Sequence, residues 1–522
     1  MKKLIWYIFW ILILLFFTKI DYRLTQEIYC CSDDFDYFSH AETLIEDFDL
    51  DYSNQLEGAE NLRFNNDGKI APIGFIGSGL LSSPFMFLGN LLDRFMNAGS
   101  VTNFKLTLYS LSSIFYLALS FSILIKSFDI LKIQHNKIVS FFLFFGSGIT
   151  YYSFERYSMT HVYEIFTISL IIYTSSRFYK NLSNRSIDVF YICFALFLAY
   201  QVKWTNYFIF LIPLIIKEIA RSDKKLFKNN IFIIYSFFFV AINSIISYLI
   251  YGSVVYNPFK IYNENLSVAN YLTTNTSPGG DFKFEILVHI RNFFNILITQ
   301  EFGILYFTPI VFFGFCISLY IFIFKYRSQA KLGLLSLATH GYILLLITAW
   351  KTPASSYGFR YLLCLVPISL LLFNYIFKKI DYRIFIIFFI CLGVFSIMST
   401  LFFETTPQTQ LSLDEKLNSF GVMSRYTQEN YLTGYLGALL NFNSYLIIFS
   451  TSFLGLYSFK FLVSTLGYEG LINTMNSLGL PTDNEDFINL LNKVEEINLN
   501  YFLVVILFIY SVVKMSIYKD KK

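Results

Sequence analysis

Charge is scarce in this chain. Asp, Glu, Lys and Arg make up 15% of its 522 residues, while 55% are hydrophobic and 20% aromatic. Average soluble domains carry about 25% charged residues, so an ordinary water-facing surface is excluded for much of the length. A metal-like cysteine spacing is also lacking. Cys193, Cys316, Cys364 and Cys391 lie in or beside apolar segments and read as packing residues, and the adjacent Cys30 and Cys31 read as two free or unrelated thiols rather than a strained disulfide. The formal net charge of +4 is not gathered on one stripe, which argues against a nucleic-acid face. No internal repeat is evident, and no low-complexity tract occurs outside the apolar runs. The apolar segment Leu4 to Phe17 follows Lys2 and Lys3 as in a signal peptide, but no small-residue cleavage site follows it, so it reads as an uncleaved anchor.

What is present is a series of apolar runs near 20 residues long. They predict an all-α polytopic membrane protein with about 12–14 transmembrane helices; continuous rather than alternating runs argue against a β-barrel. Candidate spans fall at 104–126, 138–151, 160–176, 186–201, 205–216, 230–251, 303–324, 332–350, 361–377, 384–402, 441–464 and 499–517. Lys2 and Lys3 place the N-terminus in the cytoplasm, and the basic clusters around Lys132, Lys180, Lys225, Arg327 and Lys379 then also fall inside. The C-terminal Lys519, Lys521 and Lys522 break this scheme unless 430–465 forms two passes. Residues 1–402 are expected to form a transmembrane catalytic module, with an outer loop at 21–101, and residues 403–522 a C-terminal transmembrane region with a small polar segment at 466–498.

The outer loop is acidic. Between Asp21 and Asp67 lie 13 of the 36 acidic residues, against Arg23 and Arg63. Asp36 to Glu46 has apolar residues at helical spacing and predicts a short amphipathic helix. Ile70 to Leu92 is interrupted by Pro72, Gly74, Gly77, Gly79 and Pro84, a pattern read as broken helices lying on the membrane surface.

The same topology brings a restricted polar set to the outer face: Asp33, Asp34, Asp36, His40, Glu155, Arg156, His161, Lys203, Arg291, Glu301 and Arg360. Ionisable groups at span ends are expensive unless used or paired. Transfer of a sugar from a lipid phosphate needs a carboxylate to take the acceptor's proton and cations to stabilise the phosphate that leaves. Asp33 or Asp34 could be the carboxylate; Lys203, Arg291 or Arg360 could be the cations. Plainer readings stand beside these. Asp33 and Asp34 could be solvated or cap a helix, Lys203 could snorkel beside Trp204, Arg360 could anchor its span, His161 could be a packing residue, and Asp36 and Glu155 could be surface groups.

The order of these residues is more specific than any one of them. Asp33-Asp34-Phe35-Asp36-Tyr37, Asp67-Gly68-Lys69-Ile70-Ala71-Pro72, Ser158-Met159-Thr160-His161, Gln201-Val202-Lys203-Trp204, Phe302-Gly303-Ile304-Leu305 and Tyr357-Gly358-Phe359-Arg360-Tyr361-Leu362 together resemble the GT-C superfamily of polyprenyl-phosphate-sugar glycosyltransferases, which includes protein O-mannosyltransferases and lipid A aminoarabinose transferases. The resemblance covers about residues 1–400, with Asp34 standing where Glu is more usual. It implies a GT-C-like bundle whose outer cavity is roofed by the helices of the first loop. It also implies an inverting transfer of a sugar from a polyprenyl-phosphate donor to an extracytoplasmic lipid, glycan or protein.

In that scheme Asp33 is the base and Asp34 orients it or the acceptor. Lys203 and Arg360 bind donor phosphate, and Tyr37, His161, Glu155 and Arg291 are further substrate-binding candidates. No cofactor is required; a divalent metal is compatible with so many carboxylates, but their spacing does not demand one. The expected location is a bacterial plasma membrane, with the site facing the periplasm or exterior and no nucleic-acid partner. A flippase of lipid-linked sugars would instead place charges deep in mid-span positions, where His340 is the strongly polar candidate, and a polysaccharide polymerase would carry its large outer loop late in the chain.

Overall fold

The computed structural model describes residues 32–57, 64–66, 69–72, 74–96, 104–154, 156–180, 185–204, 206–255, 286–299, 303–324, 329–343, 359–377, 383–402 and 453–477. The anchor at 4–17, the loop residues Glu155 and Glu301 and the expected spans beyond 477 lie outside this set. The described chain is predominantly helical, with one two-stranded ribbon.

The described part of the acidic segment expected to form the outer loop starts with α1 (Ser32–Glu46), longer at its start than the periodicity predicts. Asp33 and Asp34 fall in its first turn, where the helix dipole favours negative charge. A short antiparallel ribbon follows, β1 (Phe64–Asn66) against β2 (Lys69–Ala71), in the register Phe64 to Ala71. Next comes α2 (Gly77–Met96), one helix that runs through Gly79 and Pro84, where the sequence predicts breaks. Pro84 sits inside a continuous helix. Proline cannot donate to the carbonyl four residues back, but the Ser83 hydroxyl donates to Leu80 O at 3.0 Å and satisfies it. Gly77 and Gly79 serve close approach: a Cβ on Gly77 would meet the backbone of Gln201 and Val202 at 2.4 Å, and one on Gly79 would meet His40 Cβ at 2.3 Å.

Then follow α3 (Phe104–Leu131), α4 (Lys137–Phe145), α5 (Ile149–Phe154), α6 (His161–Tyr179), α7 (Arg185–Val202), α8 (Ile212–Ala220) and α9 (Asn230–Tyr251). The later helices are α10 (Ile286–Ile298), α11 (Ile304–Phe307), α12 (Pro309–Phe324), α13 (Ala330–His340), α14 (Val366–Ile376), α15 (Arg383–Phe402) and α16 (Phe453–Ser477). Side chains meet the backbone amides at two of the helix starts. Asp93 accepts from the Phe104 and Lys105 amides at 2.9 Å each, and Asn229 caps α9 through Ile231 N.

Among the described residues two helices, α3 and α9, are long and apolar enough to cross a membrane. Several expected single spans are instead interrupted. Residues 138–151 break at Gly146 to Gly148, where Gly148 adopts φ 77. Residues 205–216 open as a 3-10 turn (Tyr207–Leu211) before Pro213 starts α8; 303–324 restart at Pro309; and 361–377 open as a 3-10 turn (Arg360–Leu365) before Pro367 starts α14. A proline at a helix start lacks an N–H that would have no intrahelical partner anyway, so it restarts the helix it interrupts.

The core is centred on α6. Every residue of this helix is buried except Leu170, Tyr173 and Arg177. It packs against α3, α7, α8 and α14, while α1 lies on α2 and α2 on α3. By contrast only 17% of the apolar window of α9 is buried, with Ile234, Phe237, Phe238 and Val240 exposed. His340, the mid-span candidate of a flippase reading, is a packed residue: it meets the Ser336 carbonyl at 2.9 Å and the Ser369 hydroxyl at 2.9 Å.

His40 ties α1 to the rest of the outer loop. Its Nδ1 meets the Tyr52 hydroxyl at 2.7 Å and its Nε2 the Gly74 carbonyl at 2.8 Å, a carbonyl that also accepts from Tyr251 OH at 2.9 Å. Burial lowers its pKa from 6.5 to about 4, against the opposing pull of the Gly74 carbonyl. The folded loop therefore holds His40 neutral while the unfolded chain protonates. This contribution to stability is complete above pH 6.5 and is lost as pH falls towards 4; it amounts to up to about 3 kcal/mol. Thermal unfolding of the detergent-purified protein should show this loss across that window, and His40→Gln should flatten it. An unchanged slope in the variant would remove His40 as its source.

Candidate functional site

Two buried polar clusters meet at the turn 156–160, which leads into α6. The first joins the outer loop to the bundle. Arg156 donates from Nε and Nη2 to Asp34 Oδ2 at 2.9 and 2.6 Å, and both side chains are 1% exposed. Asp34 Oδ1 accepts no hydrogen bond among the described residues. The reading of Asp34 as a solvated loop group is thus corrected: a carboxylate in the first turn of α1 is held by a guanidinium more than a hundred residues away. Asp36, also read as a surface group, is 2% exposed. Tyr37 is half-buried, and its ring occupies the space a Cβ on Gly74 would need. Asp33 lies one residue before Asp34 on the same helix turn; its side chain lies outside the described set, as does Glu155.

The second cluster is centred on Glu164, in the first turn of α6 and 1% exposed. Its Oε1 accepts from Thr160 Oγ1 at 3.0 Å and from Lys203 Nζ at 3.0 Å. Its Oε2 accepts from Asn206 Nδ2 at 3.0 Å. His161 Nδ1 lies 3.1 Å from Oε1 without the alignment of a hydrogen bond, and its ring meets Tyr152 edge-on at 4.7 Å. Lys203 and Asn206 come from the connection between α7 and the 3-10 turn, where Lys203 N donates to Ala199 O at 3.0 Å and Asn206 N to Lys203 O at 3.4 Å, and both side chains reach α6.

Arg360 completes this cluster. The Tyr361 ring carries Lys203 Nζ at 5.1 Å and the Arg360 guanidinium at 5.2 Å from its centroid. Arg360 also reaches Tyr361 OH at 3.3 Å and Met159 Sδ at 4.0 Å. Lys203 and Arg360, 157 positions apart in the chain, therefore share one ring, and Met159 links Arg360 to the turn that carries Arg156. Lys203 keeps 14% of its side chain exposed, and Arg360 is half-buried.

Arg291 is not part of this grouping. It is exposed on α10, and among the described residues no ion pair or hydrogen bond joins it to either cluster. Sequence reasoning missed Glu164, which sits inside an apolar run read as a span. The available signal was a carboxylate one turn after Thr160, where an unpaired charge would be expensive. Among the described residues no group of three or more His, Cys, Asp or Glu is placed to hold a metal ion.

The arrangement offers two cations beside one carboxylate on one arm of the turn, and a carboxylate with a free oxygen on the other. No family model, curated protein or solved structure matches the chain.

A buried ion pair is costly to break because the survivor is left charged and dry. Arg156→Gln should lower stability by about 3–5 kcal/mol, and Asp34→Asn with Arg156→Gln should restore much of it. Thermal unfolding of the two single variants and the double would measure this; purely additive losses would mean that the contact does not couple them.

Proposed function

We propose that this chain is a polytopic membrane glycosyltransferase of GT-C type, moving a sugar from a polyprenyl-phosphate donor to an acceptor outside the cytoplasm. The observation that carries the reading is the pairing of Lys203 and Arg360 on Tyr361, next to the turn that fixes the start of α1 through Arg156. An ammonium and a guanidinium can hold a phosphate diester and stabilise the charge that develops as the sugar–phosphate bond breaks.

Asp33 is the proposed base. Asp34 is committed to Arg156, which makes it an anchor for the start of α1. The adjacent Asp33, carried on the helix that Asp34 pins, is the carboxylate left to take the acceptor's proton. A single displacement then inverts the anomeric carbon: the acceptor oxygen bonds to it, the phosphate oxygen leaves with the bonding pair, and the proton goes to Asp33. The lipid tail requires an apolar surround, which the exposed apolar faces of α9 and α15 support, as do two helices long enough to span a bilayer. A polytopic placement in a bacterial plasma membrane, with α1 outside, belongs to the same proposal. A flippase is the less favoured reading, since His340, its mid-span candidate, is already bonded to Ser336 and Ser369.

The test uses purified protein in lipid nanodiscs, a panel of radiolabelled polyprenyl-phosphate sugars and an envelope extract as acceptor. Release of free polyprenyl phosphate by the wild type should fall by about 10²–10⁴ in Asp33→Asn. Lys203→Gln should raise KM for the donor. Full activity in Asp33→Asn would move the base elsewhere, and the absence of release with every donor would sink the transferase reading.

A further inference from the structure

Glu164 has more partners than a buried carboxylate needs. Thr160 and Asn206 each donate to it, and His161 stands beside it, in addition to Lys203. Lys203 could turn away and leave the carboxylate with a donor on each oxygen, so the penalty for an orphaned buried charge would be largely avoided. Lys203 keeps part of its side chain exposed, as Arg360 does, and it lies just beyond the last residue of α7.

We propose that Glu164 is the internal counter-ion of a phosphate site, holding Lys203 while the site is empty and releasing it to the phosphate of a lipid-linked ligand. This deepens the proposed function and rests on its assignment of Lys203 to phosphate. Glu164 is a positioning residue: it touches Lys203 and not the ligand. Its carboxylate stands where a ligand oxygen would otherwise neutralise the ammonium, so it competes with the phosphate for the same cation. Two consequences follow. The empty protein avoids a bare buried cation, and part of the attraction for phosphate is spent on displacing Glu164. Tyr361 stays against the ammonium in both states and limits how far it can swing.

The competition makes an unusual demand on the variants. Removing the negative charge of Glu164 should strengthen ligand binding, whereas a merely structural residue would weaken it when replaced. The probe is undecaprenyl phosphate, without a sugar, titrated into full-length protein in nanodiscs with binding read by microscale thermophoresis. Glu164→Gln should bind about tenfold tighter than wild type, the equivalent of about 1.4 kcal/mol, and should gain more thermal stability from the ligand than wild type does. Lys203→Gln, alone or with Glu164→Gln, should lose the binding. Glu164→Asp, whose carboxylate is drawn back by one methylene, should fall between wild type and Glu164→Gln, and it decides the question should Glu164→Gln not fold.

Equal or weaker binding in Glu164→Gln, or in Glu164→Asp where that variant decides, overturns the counter-ion role while leaving the phosphate site standing. No binding of undecaprenyl phosphate by the wild type or any variant overturns the phosphate site and the transferase reading with it. Inorganic phosphate is titrated in parallel. Binding of the lipid alone supports a lipid-borne phosphate, and equal competition by the free anion supports the same site with a soluble ligand.

Discussion

A carboxylate on a helix buried on nearly every face must be met by donors brought from elsewhere, and much of the arrangement around α6 answers that demand. Glu164 lies one turn inside such a helix. Its own turn supplies Thr160, but the two remaining donors, Lys203 and Asn206, have to come from the segment after α7. That segment lies between the end of α7 at Val202 and the 3-10 turn that precedes α8, and it presents both side chains to α6. Tyr361 and Arg360, from the 3-10 turn that precedes α14, lie beside Lys203 at the same place.

The Asp34–Arg156 pair works on the same turn from the other side. It fastens α1, which belongs to a mostly hydrophilic loop, to a bundle of apolar helices. Neutral contacts help: Phe38 meets Tyr109 edge-on at 5.2 Å, and Tyr109 meets Tyr157 at 6.1 Å. Apolar contacts are tolerant of sliding, however, and a pair of 2.6–2.9 Å bonds from a planar guanidinium is not. The ion pair gives the loop a single register on the bundle. Outside it, Lys105 bridges Glu42 and Glu46 of α1 from the first turn of α3, in a more exposed setting where such contacts contribute little.

Much of the helical order was legible in the sequence, because apolar runs and their breakers are local signals. Pro309 and Pro367 mark restarts that a span-length window blurs into single helices. Pro84 misled in the opposite direction, since its effect depended on a neighbouring hydroxyl, Ser83, taking over the orphaned Leu80 carbonyl. Part of the site was legible as well: Asp34, Lys203, His161 and Arg360 stand out as charges or imidazoles beside apolar runs. Their partners were not. Asp34 and Arg156 are 122 positions apart and Glu164 and Lys203 are 39 apart, and no periodicity encodes such pairings. Glu164 itself was hidden by its surroundings, since a window dominated by Ile, Phe and Val averages one carboxylate away. The sharper rule is to ask of each ionisable residue in an apolar run which opposite charge could reach it.

If Lys203 takes phosphate as proposed, the position of the cluster also couples stability to ligand binding. Sites built on peripheral loops can be altered with little effect on the fold, because their residues carry few core contacts. Here Lys203 is paired to the central helix, and Arg156, which anchors α1, lies four residues before that helix's Thr160. Any anion that engages Lys203 changes the electrostatic balance of α6 itself, and any loosening of α6 changes where Lys203 points. Ligands that bind only the folded state stabilise it by mass action, and in this arrangement the gain is delivered to α6, a helix buried on nearly every face, rather than to a frayed edge. Thermal stability is therefore a direct readout of occupancy at this site, independent of whether chemistry follows.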